Sequence, residues 1–449
     1  MNDIETALQR ARDTKALEFG KGAMERLPGM LRTLFPGKKV VTVADVNTFA
    51  AAGQRVCDIL TAAGIPMAEN FIFRDPELYA EWSYLEELEA YLRQIDAVPV
   101  AVGSGVINDL TKLASHHLGR RYVIVGTAAS MDGYTAYGAS ITYEGNKQTF
   151  DCPAPLGVVF DPAVAAKAPA GMSASGYADL LAKVPAGADW IIADAVGSEA
   201  VDDFAFGLVQ KNLRKALSNP VAVAVANGDV EATGMLADGL IMSGFAMQAI
   251  SSSRPASGTD HQFSHFWDME GLCFNGRHVS HGFKVGIGTM VSTACLEFLI
   301  SKDLSNIDID ACVAAWPSWE EQEAYIRKIF EGKPGHLARG LAESKAKYCG
   351  PEELRRELKA VAASWPVLRE RIREQIIPFD DVKEMLRLVG APSSPEEIGV
   401  SKARLRDTFK CIPFMRNRYT GIDLIYRAGL LDEVTEHIFG KGGRFEVNG

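Results

Sequence analysis

The chain has 449 residues, more than a single hydrophobic core usually serves, so its length predicts two domains. Hydrophobic residues make up 47% and charged residues 23% of the chain, which is typical of a globular protein and argues against extensive disorder. The formal net charge of −10 argues against nucleic acid or an anionic membrane as the main partner, because both require a basic surface.

Three features of the sequence predict a cytoplasmic protein with no membrane insertion. The N-terminal segment alternates charged and apolar residues and lacks the apolar core of a signal peptide. No apolar run reaches the roughly 18 residues that a membrane-spanning helix needs. The seven cysteines are scattered and form no CxxC pair, which indicates reduced thiols and argues against a zinc-thiolate site.

From about residue 38, short β-rich apolar runs alternate with segments of helical period. The predicted strands are KKVVTVAD (38–45), NFIFRD (70–75), AVPVAVGSG (97–105) and RYVIVGT (121–127). Strands that alternate with amphipathic helices form βαβ units on a parallel sheet. The first part of the chain is therefore predicted to be α/β.

Helical period dominates the remainder of the chain. Long segments of this kind cover 196–218, 230–253, 281–302 and 351–376. Pro, Gly and Ala cluster at 157–176, where the period changes, so we place a domain boundary there. The prediction is an α/β dinucleotide-binding domain over residues 1–170 and an all-α domain over residues 171–449.

Gly103, Ser104 and Gly105 lie between the third predicted strand and a helix that starts near Val106. Glycines let the backbone approach a pyrophosphate closely, and the N–H groups at a helix start can donate to it. The loop is therefore a candidate phosphate cradle, although a dinucleotide fingerprint normally follows the first strand. A strand-to-helix turn that needs small residues for packing explains these glycines equally well.

The loop after the next strand, TAASMDG, offers hydroxyls and backbone donors from Thr127 to Ser130. Asp132 is a lone carboxylate that faces a ligand or forms an Asx turn with Gly133. Asp45 ends the first predicted strand and could accept a hydrogen bond from the ribose of NAD. Capping of the next helix is the commoner role for such an aspartate.

Four of the eight histidines lie close together in the sequence. His261 and His265 are four residues apart and share one helix face, while His278 and His281 follow shortly after. Two imidazoles and a carboxylate bind a divalent ion and leave positions open for substrate. Asp179, in SGYADLLAK, is the best carboxylate candidate. Taken alone, helix capping by Asp179 and ordinary surface or core roles for the histidines are the simpler interpretations.

Together these motifs resemble those of the sn-glycerol-1-phosphate dehydrogenase family, within the superfamily of iron-containing alcohol dehydrogenases, glycerol dehydrogenases and dehydroquinate synthases. The motifs are GSGVINDLTK, TAASMDGYTAYGAS, SGYADLLAK, DHQFSHFWD, HVSHGFKVGIGT and MRNRYTGIDLIYRAGLLDE. They span nearly the whole chain, and SMDGY and the H-x-x-x-H segment followed by HG are the most specific. The resemblance implies a dehydroquinate synthase-like fold, with an α/β dinucleotide-binding domain before a helical domain.

The resemblance also implies roles for individual residues. Asp179, His261 and His281 would be the metal ligands, and Asp179 would also count as catalytic together with His265 and Asp132 on the substrate side. The implied cofactor-binding residues are Gly105, Val106, Ile107, Asn108, Asp109, Thr127, Ala128, Ala129 and Ser130. Ala136 departs from the family pattern, because a cofactor-contacting serine often stands there, and the neighbouring Thr135 could replace it.

The activity that the resemblance implies is the reversible, NAD(P)H-dependent reduction of dihydroxyacetone phosphate to sn-glycerol 1-phosphate. One divalent metal would take part, zinc or nickel rather than iron. The partner would be a small triose or glycerol phosphate, and the protein would be a homo-oligomer, a dimer or larger. Arg277 and Lys284, which flank the metal motif, are candidate cations for the phosphate group.

Two alternatives stay open at this point. The first keeps the fold and changes the reaction to that of a glycerol or polyol dehydrogenase, or of a dehydroquinate synthase-like cyclase. The second is a non-catalytic metabolite-binding module. The sequence does not decide between NAD and NADP, and it assigns no role to the long C-terminal segment.

Overall fold

The computed structural model describes residues 3–224 and 228–447, which form two compact units. The first unit comprises Met1–Leu180, Gly207–Ser253 and Leu388–Gly390, and the second comprises Leu181–Phe206, Arg254–Arg387 and Ala391–Gly449. The helical part of the sequence therefore contributes to both units. The domain boundary at residue 170 stays a prediction.

The first unit is built on a parallel sheet. The strands of the described chain are β1 (Ala16–Phe19), β2 (Val40–Asp45), β3 (Phe71–Phe73), β4 (Val98–Gly103), β5 (Val123–Gly126), β6 (Ala139–Tyr143), β7 (Asn146–Phe150), β8 (Gly157–Phe160), β9 (Cys273–Phe274) and β10 (Arg277–His278). Six of them form the sheet in the order β1-β8-β5-β4-β2-β3, and every neighbouring pair is parallel. β2, β4, β5 and β8 are buried along their whole length, as parallel strands covered on both faces should be.

Helices make up most of the remaining structure. In chain order they are α1 (Asp3–Arg10), α2 (Leu27–Leu34), α3 (Val46–Thr48), α4 (Gln54–Ala62), α5 (Trp82–Leu92), α6 (Gly105–His117), α7 (Pro162–Ala165), α8 (Ala170–Leu181), α9 (Lys183–Ala195), α10 (Asp203–Gln210), α11 (Leu213–Ala216), α12 (Pro220–Ala224), α13 (Val230–Ile250), α14 (Thr259–Met269), α15 (His281–Ser301), α16 (Ile309–Ala315), α17 (Trp319–Ile329), α18 (Pro334–Lys347), α19 (Pro351–Gln375), α20 (Phe379–Val389), α21 (Lys402–Cys411), α22 (Gly421–Arg427) and α23 (Leu431–Phe439). On one face of the sheet, Leu31 of α2 and Val56 of α4 pack with Val100 and Val125 into a core cluster.

The predicted fold class is confirmed, since a parallel α/β sheet precedes a mainly helical part of the chain. All four predicted strands are present, as β2, β3, β4 and β5. The sequence did not predict β1 and β8, which complete the sheet at its far edge. β8 falls within the segment that we interpreted as a domain boundary. The helical part is not purely α-helical, because β9 and β10 form a small antiparallel hairpin.

Helix α15 is long and apolar enough to cross a membrane, judged by length and composition alone. However, 83% of its apolar window is buried inside the protein, as in the core helix of a folded domain.

A buried carboxylate holds the starts of two helices in the second unit. Asp189 of α9 is fully buried, and its Oδ2 accepts a hydrogen bond from the backbone N–H of Thr259 at 2.7 Å. Its Oδ1 accepts from the N–H of Gly421, also at 2.7 Å. These N–H groups belong to the first residues of α14 and α22, which have no partner within their own helices. One side chain thus fixes where both helices begin.

Helices α14 and α15 approach closely because position 288 has no side chain. A Cβ atom on Gly288 of α15 would lie 2.2 Å from the carbonyl oxygen of Asp260 in α14. Because that neighbour is backbone, it can move away only if the helix moves.

We expect Gly288→Ala to lower the free energy of unfolding by about 1–3 kcal/mol, the usual cost of overpacking a core. Urea denaturation measures this change. The matched control is Gly207→Ala in α10, where a Cβ would meet nothing within 4 Å. Since alanine is the better helix former, the control should keep or raise stability. Equal stability of the two variants would contradict the close approach.

Candidate metal centre

Three of the predicted residues come together in the structure. Asp179, His261 and His281 each offer one ligand atom, and these atoms lie within 4.8 Å of one another. Asp179 is fully buried and His261 is 6% exposed. Asp179 lies in the last turn of α8, where a negative charge is unfavourable to the helix dipole, so capping of a helix start does not explain it.

Neighbouring side chains orient the two imidazoles. Nδ1 of His261 is hydrogen-bonded to Oδ1 of Asp260, and Nδ1 of His281 lies 3.2 Å from Oγ of Ser264. Such contacts at one ring nitrogen commonly fix the tautomer of a metal-binding histidine and direct its other nitrogen at the ion. Nε2 would therefore be the metal-binding atom of each ring.

The donor set fits a divalent transition metal. Two neutral imidazoles and one carboxylate suit zinc, nickel or iron, and they do not by themselves select one of the three. Three protein ligands also leave coordination positions for substrate or water, as in catalytic sites. A buried carboxylate facing two imidazoles is costly unless a cation or protons balance it.

Asp132 lies directly beside this cluster. Its backbone N–H donates to Oδ2 of Asp179 at 3.2 Å, and its Oδ2 accepts from Oγ of Ser243 at 3.0 Å. The turn fits closely under α13, because a Cβ on Gly244 would lie 2.7 Å from the carbonyl oxygen of Asp132. The sequence motif SMDG is thus held by α13 and connected to the predicted metal ligand.

His265 has an arginine as its neighbour. Nη1 of Arg416 lies 2.9 Å from Nε2 of His265. Because a guanidinium group only donates hydrogen bonds, Nε2 is the acceptor and the ring carries its proton on Nδ1. Burial and the positive charges of Arg416 and Arg339 hold the pKa of His265 well below its usual range. His265 is therefore a neutral imidazole.

The predicted cofactor loop is the junction of β4 and α6, with Ser104 as the N-cap residue. The side chains of Asn108 and Asp109 are used inside the protein: Asn108 donates to the carbonyl of Gly133 at 3.0 Å, and Asp109 accepts from the N–H of Ser140 at 3.1 Å. Burial raises the pKa of Asp109. Asn108 thus holds the SMDG loop and Asp109 holds β6. The N–H of Asn108 donates to the carbonyl of Ser104, so Gly105, Val106 and Ile107 are the residues of this segment that offer N–H groups at the helix start.

The second predicted cofactor segment, Thr127–Ser130, directly follows β5. The N–H of Thr127 donates to the carbonyl of Gly103 at 3.1 Å, which ties the two loops together. The carbonyl of Ala128 accepts from the hydroxyl of Tyr134 at 2.8 Å. Helix α8 touches this segment, since a Cβ on Gly176 would lie 1.9 Å from the carbonyl oxygen of Ala129.

Other candidate residues have structural partners. Thr135, the suggested replacement for the family serine, donates its hydroxyl to the carbonyl of Ile241 at 2.7 Å. Asp45 caps the helix after β2, accepting from the N–H groups of Asn47 and Thr48. Lys284 is buried and ion-paired with Asp268 at 2.5 Å. Arg277 is exposed on the β9–β10 hairpin.

Two residues of this region were not found by sequence reasoning. Asp260 stands next to a proposed ligand, and a carboxylate beside a histidine was the available signal. Arg416 is distant from His265 in sequence, and its only signal was its place in the C-terminal motif MRNRYTG.

Comparison with known proteins identifies the family. A family model described as iron-containing alcohol dehydrogenase matches residues 18–169. A glycerol-1-phosphate dehydrogenase (NAD(P)+) of Halalkalibacterium halodurans is 35% identical over 282 residues, which cover 62% of this chain and 69% of that protein. The enzyme of the same name from Geobacillus thermodenitrificans is 31% identical over 324 residues, which cover 71% of this chain and 80% of that protein. This chain belongs to the iron-containing alcohol dehydrogenase family.

One relative matches this chain over nearly its whole length. The glycerol-1-phosphate dehydrogenase (NAD(P)+) of Bacillus licheniformis is 28% identical over 430 residues, which cover 95% of this chain and 91% of that protein. The long C-terminal segment is therefore common to both chains. Among solved structures, the glycerol dehydrogenase of Schizosaccharomyces pombe matches with a TM-score of 0.59 at 16% identity, over 94% of this chain and 90% of that one. That likeness confirms the fold.

We expect Asp260→Asn to weaken metal binding by about 10–100-fold, because the neutral amide no longer stabilises the ligating form of His261. Competition with a chromogenic chelator measures the affinity. Asp303→Asn is the matched control, since Asp303 is an exposed cap of a short 3-10 helix. If both variants bind metal like the wild type, Asp260 does not support the site.

Proposed function

We propose that this protein is an NAD(P)-dependent sn-glycerol-1-phosphate dehydrogenase that reversibly reduces dihydroxyacetone phosphate. The observation that carries the proposal is the buried cluster of Asp179, His261 and His281 in a chain of this family. Relatives that are named as glycerol-1-phosphate dehydrogenases (NAD(P)+) cover most of the chain, which supports this activity over that of the wider superfamily.

Asp179, His261 and His281 would hold one divalent ion, for which we propose zinc or nickel. When bound, the ion supplies Lewis-acid polarisation of the substrate's carbonyl oxygen. Asp260 and Ser264 hold the two imidazoles in place, so the ligands keep their geometry in the absence of substrate.

His265 and Asp132 would orient the substrate. The proton of His265 is on Nδ1, so this atom can donate a hydrogen bond to a substrate oxygen. The carboxylate of Asp132, held by Ser243, would accept from a hydroxyl at the glycerol end. Both side chains are partly exposed, which leaves them accessible to a ligand.

We propose that NAD(P)H binds through the loops after β4 and β5 and supplies the hydride. The N–H groups of Gly105, Val106 and Ile107 at the start of α6 would donate to the pyrophosphate, as helix starts do. Thr127, Ala128, Ala129 and Ser130 would line the same cofactor. Asn108 and Asp109 would act indirectly, Asn108 by holding the SMDG loop at Gly133 and Asp109 by holding β6 at Ser140.

We further propose a cytoplasmic homo-oligomer. The seven cysteines are all free thiols, which suits a reducing compartment.

The test of function is a spectrophotometric assay of NADH and NADPH oxidation, with dihydroxyacetone phosphate and unphosphorylated dihydroxyacetone as substrates and with metals varied after chelation. We expect turnover of the phosphorylated substrate after addition of zinc or nickel. Preference for the unphosphorylated compound would favour a polyol dehydrogenase. A cyclase would show no net change in NADH, and a binding module would show no turnover of any substrate.

In the same assay, His261→Ala should lose metal and roughly 10³-fold or more in activity, because metal polarisation is worth several kcal/mol. The matched control is His278→Ala, which removes an exposed imidazole on β10. Circular dichroism checks that both variants fold. Full activity of His261→Ala in a chelator-washed sample would contradict the metal assignment.

We expect Gly176→Ala to raise the KM for NAD(P)H by about tenfold, because the new methyl group would push the backbone of Ala129 away from its position. Steady-state kinetics at saturating substrate measure the effect. Gly171→Ala, on the same helix, is the control, since a Cβ there meets nothing within 4 Å. An unchanged KM in both variants would mean that the Thr127–Ser130 segment does not contribute to NAD(P)H binding.

A further inference from the structure

Two arginines of the second unit, Arg416 and Arg339, act on His265, and a third, Arg418, follows Arg416 two residues later in the chain. Arg416 donates to Nε2 of His265. Burial lowers the pKa of both Arg416 and Arg418; the positive charge of Arg339 lowers that of Arg416 further, and the charge of Arg416 lowers that of Arg418 further. Arg416 thus interacts unfavourably with Arg339 and with Arg418, and such an accumulation of like charge is costly unless something negative balances it.

Carboxylates balance only part of this charge. Oε1 of Glu343 lies 3.9 Å from Nε of Arg339, which is a long contact, and its Oε2 accepts from the backbone N–H of Asn417. Nε of Arg339 is buried and makes no hydrogen bond in the described structure. Arg416 makes no ion pair with any carboxylate in residues 3–224 and 228–447, and its polar partner is a neutral imidazole.

Arg418 has a different role from Arg416. Its Nη1 donates to the carbonyl of Ser257 at 2.7 Å, just before α14 begins. The next carbonyl, that of Tyr419, accepts from Nη1 of the fully buried Arg254 at 2.8 Å. These bonds anchor the segment that carries Arg416. Arg416 is thus held in place by the surrounding structure, and within the described residues it makes no ion pair with a carboxylate.

A partly buried cation whose charge is only partly balanced is unfavourable, and burial together with Arg339 lowers the pKa of Arg416 to about 10. An anion with several acceptor oxygens would relieve that cost. A guanidinium group suits a phosphate because its planar set of donors matches two phosphate oxygens at once. Lys284 does not meet this need, since it is paired with Asp268.

The location is appropriate for the phosphate end of a small substrate. The rings of His261 and His265 have centroids 6.5 Å apart, and Arg416 contacts His265. A short phosphorylated ketone with its carbonyl at the metal cluster would therefore extend past His265 towards the guanidinium group.

We propose that Arg416, assisted by Arg339, binds the phosphate group of a phosphomonoester substrate, with Arg418 anchoring the segment. This inference rests on the proposed function and assigns its specificity for a phosphorylated substrate to a named side chain. Arg416 would at the same time hold His265 in the tautomer that donates from Nδ1.

The test uses metal-loaded full-length protein with Arg416→Met and Arg416→Lys. For Arg416→Met, kcat/KM with dihydroxyacetone phosphate should fall by about 100-fold, mainly through KM, whereas kcat/KM with dihydroxyacetone should change less than about threefold. Inhibition by inorganic phosphate should weaken at least about tenfold. Arg416→Lys should recover part of both losses, because it keeps the charge and loses the planar donor set.

The matched control is Arg387→Met, which removes an exposed guanidinium group paired with Glu384. It should leave every readout unchanged. If Arg416→Met does not fold, Arg416→Lys and Arg339→Met give the same comparison. Equal losses with both substrates, together with unchanged phosphate inhibition, would overturn the subsite and make Arg416 a positioning residue for His265.

The two proposals fail in different ways. If the wild type does not reduce dihydroxyacetone phosphate, calorimetry with inorganic phosphate still tests the subsite. Phosphate binding that Arg416→Met abolishes would support the anion site while the proposed reaction fails. Phosphate binding that is unaffected by Arg416→Met would overturn the subsite whatever the enzyme's substrate.

Discussion

The arrangement of the second unit depends on the carboxylate of Asp189. It is fully buried, and each of its oxygens accepts from the first N–H of a different helix, α14 or α22. One of these helices carries His261 and His265, and the other follows directly on the segment with Arg416 and Arg418. The histidines and the arginines are far apart in the chain, so a shared anchor is what makes their relative position reproducible.

Glycines define the remaining geometry by letting backbones touch. Gly288 brings α15 against Asp260, and Gly176 brings α8 against Ala129. Each contact lies next to a residue of the proposed site, namely His261 in one case and Ser130 in the other. The close packing at these glycines therefore also positions residues of the proposed site. A larger side chain at Gly288 or Gly176 would shift the backbone next to His261 or Ser130.

Much of this could be predicted from the sequence. Four of the six sheet strands, β2 to β5, were predicted because they stand out as short apolar runs between segments of helical period. β1 and β8 are as short as four residues, and β8 follows a hairpin, so no alternation with helices marked them. The grouping of Asp179 with His261 and His281 came from the family resemblance, because helix spacing alone connects only residues within one helix.

The remaining features depend on long-range pairing that a single sequence does not show. Sequence alone makes Lys284 a candidate cation for the phosphate. In the structure it is paired with Asp268, because the packing of α15 against α14 brings the two side chains together. Asn108 and Asp109 match a cofactor motif, yet the side chain of Asn108 holds the SMDG loop and that of Asp109 holds β6. Arg416 is the opposite case: the fold places it beside the imidazole of His265, and it forms no ion pair with a carboxylate among the described residues.

The burial of Asp189 couples folding to protons. Desolvation raises its pKa to about 6, above the value of about 4 for an aspartate in an unfolded chain. Between these two values the folded protein binds more protons than the unfolded one, so this group's contribution to stability falls as pH rises from about 4 through about 6 and is constant above. At neutral pH the charged carboxylate is a stronger acceptor for the two helix starts, but it is also a buried charge. The carboxylate that anchors the start of the histidine helix thus contributes less to stability near neutrality than in mild acid.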